Sequence, residues 1–216
     1  MPQTITVDRK PYHHHSALMP GDGSDSPLRT ESLNRQSFFR KRRKLPLDNT
    51  AGAYVPLGRR NLLLVIDNNS VPFGSPEWKL IADTAAHLEK CYPTLSQQGK
   101  AALFHLRAVI FSSKPLRSYA DVEPDLFFYD TDEFRRSDGS MNGPAWTASC
   151  IVHDANHIWQ HDTGAEWTGT GAETECWKLQ VDNCTALGLS AGEVAHLNGF
   201  IANPAQIIPR ANGRTF

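Results

Sequence analysis

The sequence predicts an α+β domain preceded by a basic, flexible amino-terminal tail. Two short runs, LLLVI at 62–66 and DLFFYD at 125–130, are typical of buried β-strands. Between and after these runs, apolar residues recur at helical spacing. The first 60 residues carry eleven Lys and Arg against five Asp and Glu, whereas the rest of the chain carries eleven against eighteen. The two parts of the chain are therefore built differently.

The tail is assigned to residues 1–50. Its first 33 residues are rich in Pro, Gly, Ser and His and have little periodic apolar content, so they cannot bury enough surface to offset the entropy of ordering. A run of five cations follows, which can contact a polyanion such as nucleic acid or anionic lipid, or can simply be a solvated linker. These cations are Arg40, Lys41, Arg42, Arg43 and Lys44.

Composition also bears on location. No stretch approaches the roughly 20 apolar residues that a membrane span requires, and the amino terminus lacks the charged-then-apolar pattern of a cleaved signal peptide. We therefore expect no membrane span, and either a cytoplasmic location or export without a cleaved signal peptide. Four cysteines without CxxC spacing are interpreted as reduced and mostly buried.

The domain is assigned to residues 51–216, with recognisable order from about Asn61. The run at 62–66 predicts a buried strand or the core of a short helix, and the polar residues that follow it predict a turn. Ser75 has the character of an N-cap and Pro76 that of a first-turn proline, which together predict a helix that ends near Lys90. A second helix is predicted over residues 96–110 from its apolar spacing.

The carboxyl-terminal half predicts a strand followed by a pair of helices. The aromatic run at 125–130 indicates a strand, and a turn-rich segment then leads to a helix that begins near Pro144. TGTG at 168–171 predicts a turn, after which helical periodicity returns over 172–187. Gly188 is a plausible C-cap, and a capping box at Ser190 predicts a last helix through residue 200.

The chemistry of the sequence is concentrated on the helix near Pro144. His153 and His157 are four residues apart, so both imidazoles lie on one helix face and can reach a single cation. A carboxylate from the next helix, such as Glu173, can complete a three-ligand site. Such a site leaves one coordination position open, which distinguishes catalytic from structural zinc.

Residues 146–180 resemble the gluzincin-type zincins, a zinc metallopeptidase superfamily with the signature HExxH followed by a downstream Glu. Here the signature reads HDANH, then GAETECWKLQ. The resemblance implies a zincin-like core with a small mixed sheet and an active-site helix pair. It implies zinc ligation by His153, His157 and Glu173, and a strand beside the site, for which DLFFYD is the candidate.

Two further residues, Glu175 and Asp154, are interpreted through this resemblance. Glu175 competes with Glu173 for the third ligand, but in the family a small residue follows the ligand Glu by three positions, and Cys176 meets that requirement for Glu173. Asp154 stands where the family has its catalytic Glu, so it is the candidate general base. Tyr129 or a remaining histidine is the candidate group for stabilising an oxyanion.

The function predicted from the sequence is zinc-dependent hydrolysis of a peptide bond in a peptide or protein substrate. One alternative is a metal-stabilised binding module without catalysis. Another is an HD-type metal phosphohydrolase, an all-helical family, because His153-Asp154 and His161-Asp162 form two HD dipeptides. His87 or His105 can be cast as the earlier His of such a site and Asp182 as the later Asp. Size and architecture also make the chain a candidate toxin or effector.

Overall fold

A mixed five-stranded sheet lies at the centre of this computed structural model, which describes residues 49–115 and 117–204. The elements of the described residues follow in chain order: β1 Thr50–Leu57, β2 Arg60–Asp67, α1 Pro76–Cys91, α2 Gln97–His105, β3 Ala108–Ser112, β4 Tyr119–Asp121, β5 Leu126–Asp130, α3 Pro144–Asp162, α4 Gly169–Asp182, α5 Cys184–Leu187 and α6 Ala191–Ala202. The fold class predicted from the sequence, α+β with a small mixed sheet, is confirmed. The cation run at 40–44 lies outside the described residues.

The sheet has the strand order β1-β2-β3-β5-β4. The strands β2, β3 and β5 are parallel, whereas β1 and β4 run antiparallel to their neighbours at the two edges. A two-residue turn joins β1 to β2, and Gly58 at its first position has φ 65°. Pro56 is compatible with β1 because an edge strand can do without one backbone donor.

The hydrophobic core lies between one face of the sheet and the helices α1 and α3. Helix α3 packs against α1, α2, α4 and α5 as well as against β4 and β5. A smaller cluster on the other sheet face consists of Leu63, Val65, Ala108, Ile110, Leu126 and Phe128. Because α3 contacts so many elements, residues on it are held in fixed positions. No helix of the described residues is both long and apolar enough to cross a bilayer.

Several predicted elements are confirmed. The LLLVI run lies in β2 and is buried throughout. Helix α1 has Ser75 as its N-cap, with the side chain accepting from the backbone N–H of Trp78. Gly188 caps α5 in the left-handed conformation, and Ser190 forms the predicted capping box with Glu193 at the start of α6. Local capping chemistry therefore placed these boundaries well.

Other predictions were wrong, for reasons of tertiary pairing. The single helix predicted over 96–110 ends at His105, because Leu106 turns extended and the following residues become β3, a central strand between β2 and β5. Strand β1 begins before Asn61, and the short β4 was not predicted. The DLFFYD run forms a strand as predicted, β5, but it is paired on both sides, and β4 is the edge strand next to it. Within the predicted TGTG turn, Gly169 already begins α4.

Candidate metal centre

The two histidines of the motif lie on one face of α3. His153 and His157 are one helical turn apart, and their ring centroids are separated by 5.1 Å. The opposite face of the helix carries residues that pack in the core, among them Ile151, Val152, Ala155 and Ile158, all fully buried. This apolar face fixes the rotation of α3 about its axis. The imidazoles are consequently turned towards α4, whose Trp177 ring lies 6.2 Å from that of His153.

A glycine turn brings α4 back across the histidines. Helix α3 ends in a Schellman motif, in which Gly164 has φ 76° and donates to the carbonyl of His161, while Ala165 donates to Gln160. The reversed chain places the backbone carbonyl oxygen of Trp167 3.0 Å from Nδ1 of His157. Helix α4 then begins at Gly169 and carries the predicted carboxylates.

Glu173, and not Glu175, reaches the two histidines. Its Oε2 lies 3.1 Å from Nε2 of His153, and its Oε1 lies 3.4 Å from Nε2 of His157. The side chain of Glu173 is only 17% exposed, whereas that of Glu175 is 60% exposed and pairs with Lys178 at 2.8 Å. The structure therefore brings together the three residues that the sequence singled out as metal ligands.

Hydrogen bonds fix the tautomer of His153. The hydroxyl of Ser149 donates to the carbonyl of Trp146 at 2.8 Å, so its oxygen accepts from Nε2 of Gln180 at 3.0 Å. The amide of Gln180 consequently turns its Oε1 towards Nδ1 of His153, also at 3.0 Å. An amide oxygen can only accept, so Nδ1 carries the proton and Nε2 is left to face Glu173.

The same holds for His157, because the carbonyl of Trp167 can only accept a hydrogen bond. In both neutral imidazoles the lone pair at Nε2 therefore points at the Glu173 carboxylate. Two lone pairs aimed at an anion repel it unless a cation lies between them. That cation is either a proton on each ring or a metal ion, and outer partners of this type orient histidine ligands in metal sites.

The electrostatics agree with this geometry. Burial alone would lower the pKa of His153, but its electrostatic interactions with Cys176 and Glu173 raise it to about 9. The pKa of His157 is likewise raised well above its ordinary value against burial, by Cys176 and Glu173. For Glu173, burial opposes ionisation, yet hydrogen bonds from the two histidines hold its pKa well below the ordinary range. The site thus favours positive charge beside the carboxylate.

The histidines open onto a cavity of about 180 Å³. Three of its lining residues, Ser118, Tyr119 and Ala120, come from β4 and the residue before it. The others are His153, Asp154, His157, Trp167 and Glu173. The candidate ligands therefore share one cavity with the sheet's edge strand, and β4 occupies the place beside the site that the sequence assigned to DLFFYD.

Asp154, the candidate base, is partly buried in the wall of this cavity. Burial raises the pKa of its carboxyl to about 6, against the lowering effect of His153 and His157. Its carboxylate accepts no hydrogen bond from the residues that the structure describes. A carboxylate without such bonds, beside two imidazoles and with a pKa near neutrality, is chemically suited to accept a proton.

The structure also reveals a residue that the sequence analysis did not consider as a ligand. Sγ of Cys176 and one nitrogen of each of the two histidines all lie within 4.8 Å of one another. Cys176 was interpreted only as a small residue that lets α3 and α4 approach. The signal that could have identified it is its spacing, since residues i and i+3 share a helix face and Glu173 is three positions earlier.

Tyr129 is not placed to stabilise an oxyanion. Its side chain is 2% exposed in the core, where its ring stacks on Phe111 at 5.7 Å, and it does not line the cavity. His161, taken from the sequence as an outer or surface residue, lies against the ring of Trp167. It too is outside the cavity lining.

The parts required by an HD-type site are not assembled. His87 contacts the backbone oxygen of Leu187, and His105 lies 2.6 Å from Asp162 at the end of α3, away from the His153-Asp154 dipeptide. The five-stranded sheet also differs from the all-helical fold that the HD resemblance would imply.

Comparisons of the chain with protein-family models, with curated protein sequences and with solved structures find no match.

Proposed function

We propose that this chain is a zinc-dependent hydrolase with a zincin-like active site, in which His153, His157 and Glu173 hold Zn²⁺. The observation that carries the proposal is the arrangement of the two imidazoles: each donates from Nδ1 to a fixed acceptor and turns Nε2 towards one carboxylate. Two His and one carboxylate are a common ligand set of catalytic zinc sites. A zinc ion held there supplies Lewis-acid chemistry that activates water for hydrolysis.

Asp154 is the proposed proton acceptor in this reaction. It lines the same cavity as the three ligands, and its pKa of about 6 leaves it ionised near neutral pH. Asp is one methylene shorter than the Glu of the resembling family, so the cavity must bring water closer to α3. Asp154 is partly buried on that helix, and this position is compatible with such a tighter site.

A peptide or protein is the proposed substrate. Strand β4 is the last strand of the sheet and lies along the cavity wall. Extended peptides commonly bind beside such a strand through main-chain hydrogen bonds. A cavity of about 180 Å³ is small, so the bulk of a substrate would lie along β4 with one group at the histidines.

A second candidate function is a metal-stabilised binding module without catalysis. The observation that favours it is the fully buried Cys176, whose sulfur lies near both histidines. A ligand set of two His, one Glu and one Cys has four protein ligands, and closed sets of that kind are typical of structural zinc. The same observation is also compatible with a regulated enzyme, as argued below.

Metal analysis of the purified full chain tests the proposal, combined with the His153→Ala variant. We expect near-stoichiometric zinc in the wild type, loss of zinc in the variant, and binding of a hydroxamate that depends on zinc. His105→Ala is the matched control, because His105 is a partly exposed histidine outside the cavity. Wild-type protein that neither contains zinc nor binds it on titration would contradict the proposal. Unfolding on treatment with a chelator would favour the binding module instead.

A further inference from the structure

Cys176 lies beneath the candidate ligands, on the side away from the cavity. Its side chain is fully buried and is absent from the cavity lining, whereas Glu173 lines the cavity one helical turn earlier. The two residues therefore approach the histidines at different depths, Glu173 from the cavity and Cys176 from the interior. A buried cysteine ordinarily packs as a small apolar residue, but this one is surrounded by polar groups.

The sulfur of Cys176 has an amide donor held in place for it. Nε2 of Gln98 donates to Oδ1 of Asn156 at 3.0 Å, and this fixes the orientation of the Asn156 amide. Nδ2 of Asn156 consequently points at Sγ of Cys176, at 3.3 Å. An N–H directed at sulfur stabilises negative charge on it, and outer hydrogen bonds of this kind orient the ligands of metal sites.

A second amide contact of the sulfur suits its protonated form. Sγ lies 3.7 Å from Oε1 of Gln160, which can accept the thiol proton. Metal binding would release that proton, as it does for thiol ligands in general. Asn156 and Gln160 are 3% and 4% exposed, so neither amide is there for contact with solvent. The polar surroundings of Cys176 thus serve both the thiol and the thiolate.

The distances are compatible with ligation by sulfur. In a tetrahedral zinc site with Zn–N near 2.0 Å and Zn–S near 2.3 Å, ligand atoms are about 3.5 Å apart. The three atoms of His153, His157 and Cys176 lie within 4.8 Å of one another. Ligation of a single zinc ion would therefore draw these three atoms closer together by about 1 Å.

We propose that Cys176 is a further protein ligand of the metal held by His153 and His157, and that its thiolate closes the coordination position that hydrolysis requires. The ligand assignment stands on the geometry of the sulfur, whereas its regulatory consequence rests on the proposed function. With sulfur bound, the metal has no position for water and the site is latent. Departure of the sulfur from the metal opens the site on the cavity side.

Cobalt substitution of the full chain tests the ligand assignment, because thiolate ligation gives an intense sulfur-to-cobalt charge-transfer band in the near ultraviolet. We expect this band in the wild type and its loss in Cys176→Ser, which preserves the shape of the side chain. Cys91→Ser is the matched control, since Cys91 is also buried but lies outside the histidine cluster. In Cys176→Ala, we expect the affinity for Co²⁺ to fall by about 10- to 100-fold or more, at least as much as for loss of an outer partner.

Acetohydroxamate binding to the cobalt proteins tests the latency. Acetohydroxamate should bind more tightly to Cys176→Ala than to the wild type. In the wild type, it should weaken the sulfur-to-cobalt band as it displaces the thiolate. Equal affinity for the two proteins would overturn the latency. Cobalt bound without a sulfur band in the wild type would overturn the ligand assignment while leaving the zinc site of the proposed function intact.

Failure of the wild type to bind Co²⁺ or Zn²⁺ at all would overturn both proposals together. The wild-type spectrum by itself decides the ligand assignment if a Cys176 variant does not fold. Asn156→Leu provides a second reading in that case. This substitution removes the amide donor to the sulfur but replaces none of the proposed ligands. The charge-transfer band should therefore shift in energy but persist.

Discussion

Oε1 of Gln180 lies 3.0 Å from Nδ1 of His153 and joins two neighbouring helices at the edge of the candidate metal centre. Gln180 is 2% exposed, and its other amide atom is committed to Ser149. The glutamine therefore holds the imidazole in one orientation and one tautomer. This arrangement makes Gln180 a positioning residue whose contribution can be measured apart from that of the ligands.

Replacing Gln180 should weaken zinc binding without removing a ligand. We expect Gln180→Leu to lower the zinc affinity by about 10- to 100-fold, the usual effect of losing an outer partner of a histidine ligand. Gln180→Glu keeps an acceptor at the same place and should retain the affinity. Competition with a chromophoric chelator measures both, with the exposed Lys178→Ala on the same helix as control. Equal affinities for Gln180→Leu and the wild type would contradict the assigned role.

Glu173 and Glu175 should differ in their importance for the metal. We expect Glu173→Gln to lower the zinc affinity strongly and Glu175→Gln to have little effect, because only Glu173 lies beside the two histidines. The substitutions are chemically identical and two positions apart on one helix, so each is the control for the other. Zinc titration followed by calorimetry measures the difference. The reverse order would move the third ligand to Glu175.

Zinc affinity should rise with pH well beyond the range of an ordinary histidine. The pKa of His153 is raised to about 9, so the ring is protonated at neutral pH and the metal must displace that proton. Each proton displaced makes the apparent affinity rise about tenfold per pH unit below the pKa. Titrations between pH 6 and pH 9 measure the slope. A plateau above pH 7 would show that His153 is already neutral there.

The raised pKa of His153 also affects the free energy of unfolding in the absence of metal. A histidine whose pKa is higher in the folded than in the unfolded state stabilises the fold at pH values below its unfolded pKa, and this contribution is lost as pH rises through the folded pKa. Protein stripped of metal should therefore lose stability as the pH rises from about 6.5 to about 9, with no further loss from this residue at higher pH. Urea unfolding at several pH values measures the loss. Glu173→Gln removes the partner charge and should flatten this dependence.

Asp154 should be needed for turnover but not for metal binding. If it is the general base, Asp154→Asn should retain zinc and lose turnover by about 10² or more, since a positioned base contributes about 10² to 10⁴. Activity of the wild type should fall as pH drops through about 6, where the carboxylate becomes protonated. Bound zinc adds positive charge, which would lower the pKa of Asp154 and move this fall in activity to lower pH.

Asp154→Glu is the sharper variant because it restores the longer side chain of the resembling family. Hydrolysis should be preserved or raised if the cavity accepts the extra methylene, and lowered if the cavity fits only the shorter acid. Turnover of a peptide library measures all three forms, each loaded with zinc and each carrying Cys176→Ala, so that the latency proposed for the wild type does not mask the result. No change in either variant would remove Asp154 from the mechanism.

The basic run at 40–44 should confer salt-dependent binding to polyanions. We expect the affinity for heparin or duplex DNA to fall steeply as salt rises, because each neutralised phosphate or sulfate releases counterions. Replacing the five cations by Gln should abolish the binding. His153→Ala should leave it unchanged, since the proposed metal centre plays no part in it. Binding that is insensitive to salt would contradict an electrostatic contact.

The shared face of the two histidines was predictable from the sequence because it depends on local geometry. The spacing of His153 and His157 fixes their common face once a helix is recognised, and the apolar residues between them indicate that helix. The preference for Glu173 over Glu175 needed a resemblance, and the structure brings the preferred residue to the histidines. Capping residues such as Ser75 and Ser190 also act locally, which is why their helices were placed correctly.

What the sequence did not indicate depends on partners far away in the chain. Residues 108–112 continue a helical apolar pattern, yet they form β3 because β2 and β5 offer backbone partners on both sides. Cys176 and Gln180 are ordinary helix residues until the fold shows what each one faces. Their roles arise from contacts between α3 and α4, and no local pattern contains that information.

The two candidate histidine ligands differ in the kind of acceptor that orients them, and this difference indicates which residues relatives should retain. The acceptor for His157 is the carbonyl of Trp167, which any residue at that position can supply. By contrast, the left-handed turn at position 164 requires a glycine, and the acceptor for His153 requires the side chain of Gln180. Relatives that have diverged beyond overall similarity should therefore carry the signature S-x3-H-x3-H-x6-G-x8-E-x2-C-x3-Q, which runs from Ser149 to Gln180 and leaves position 167 unconstrained.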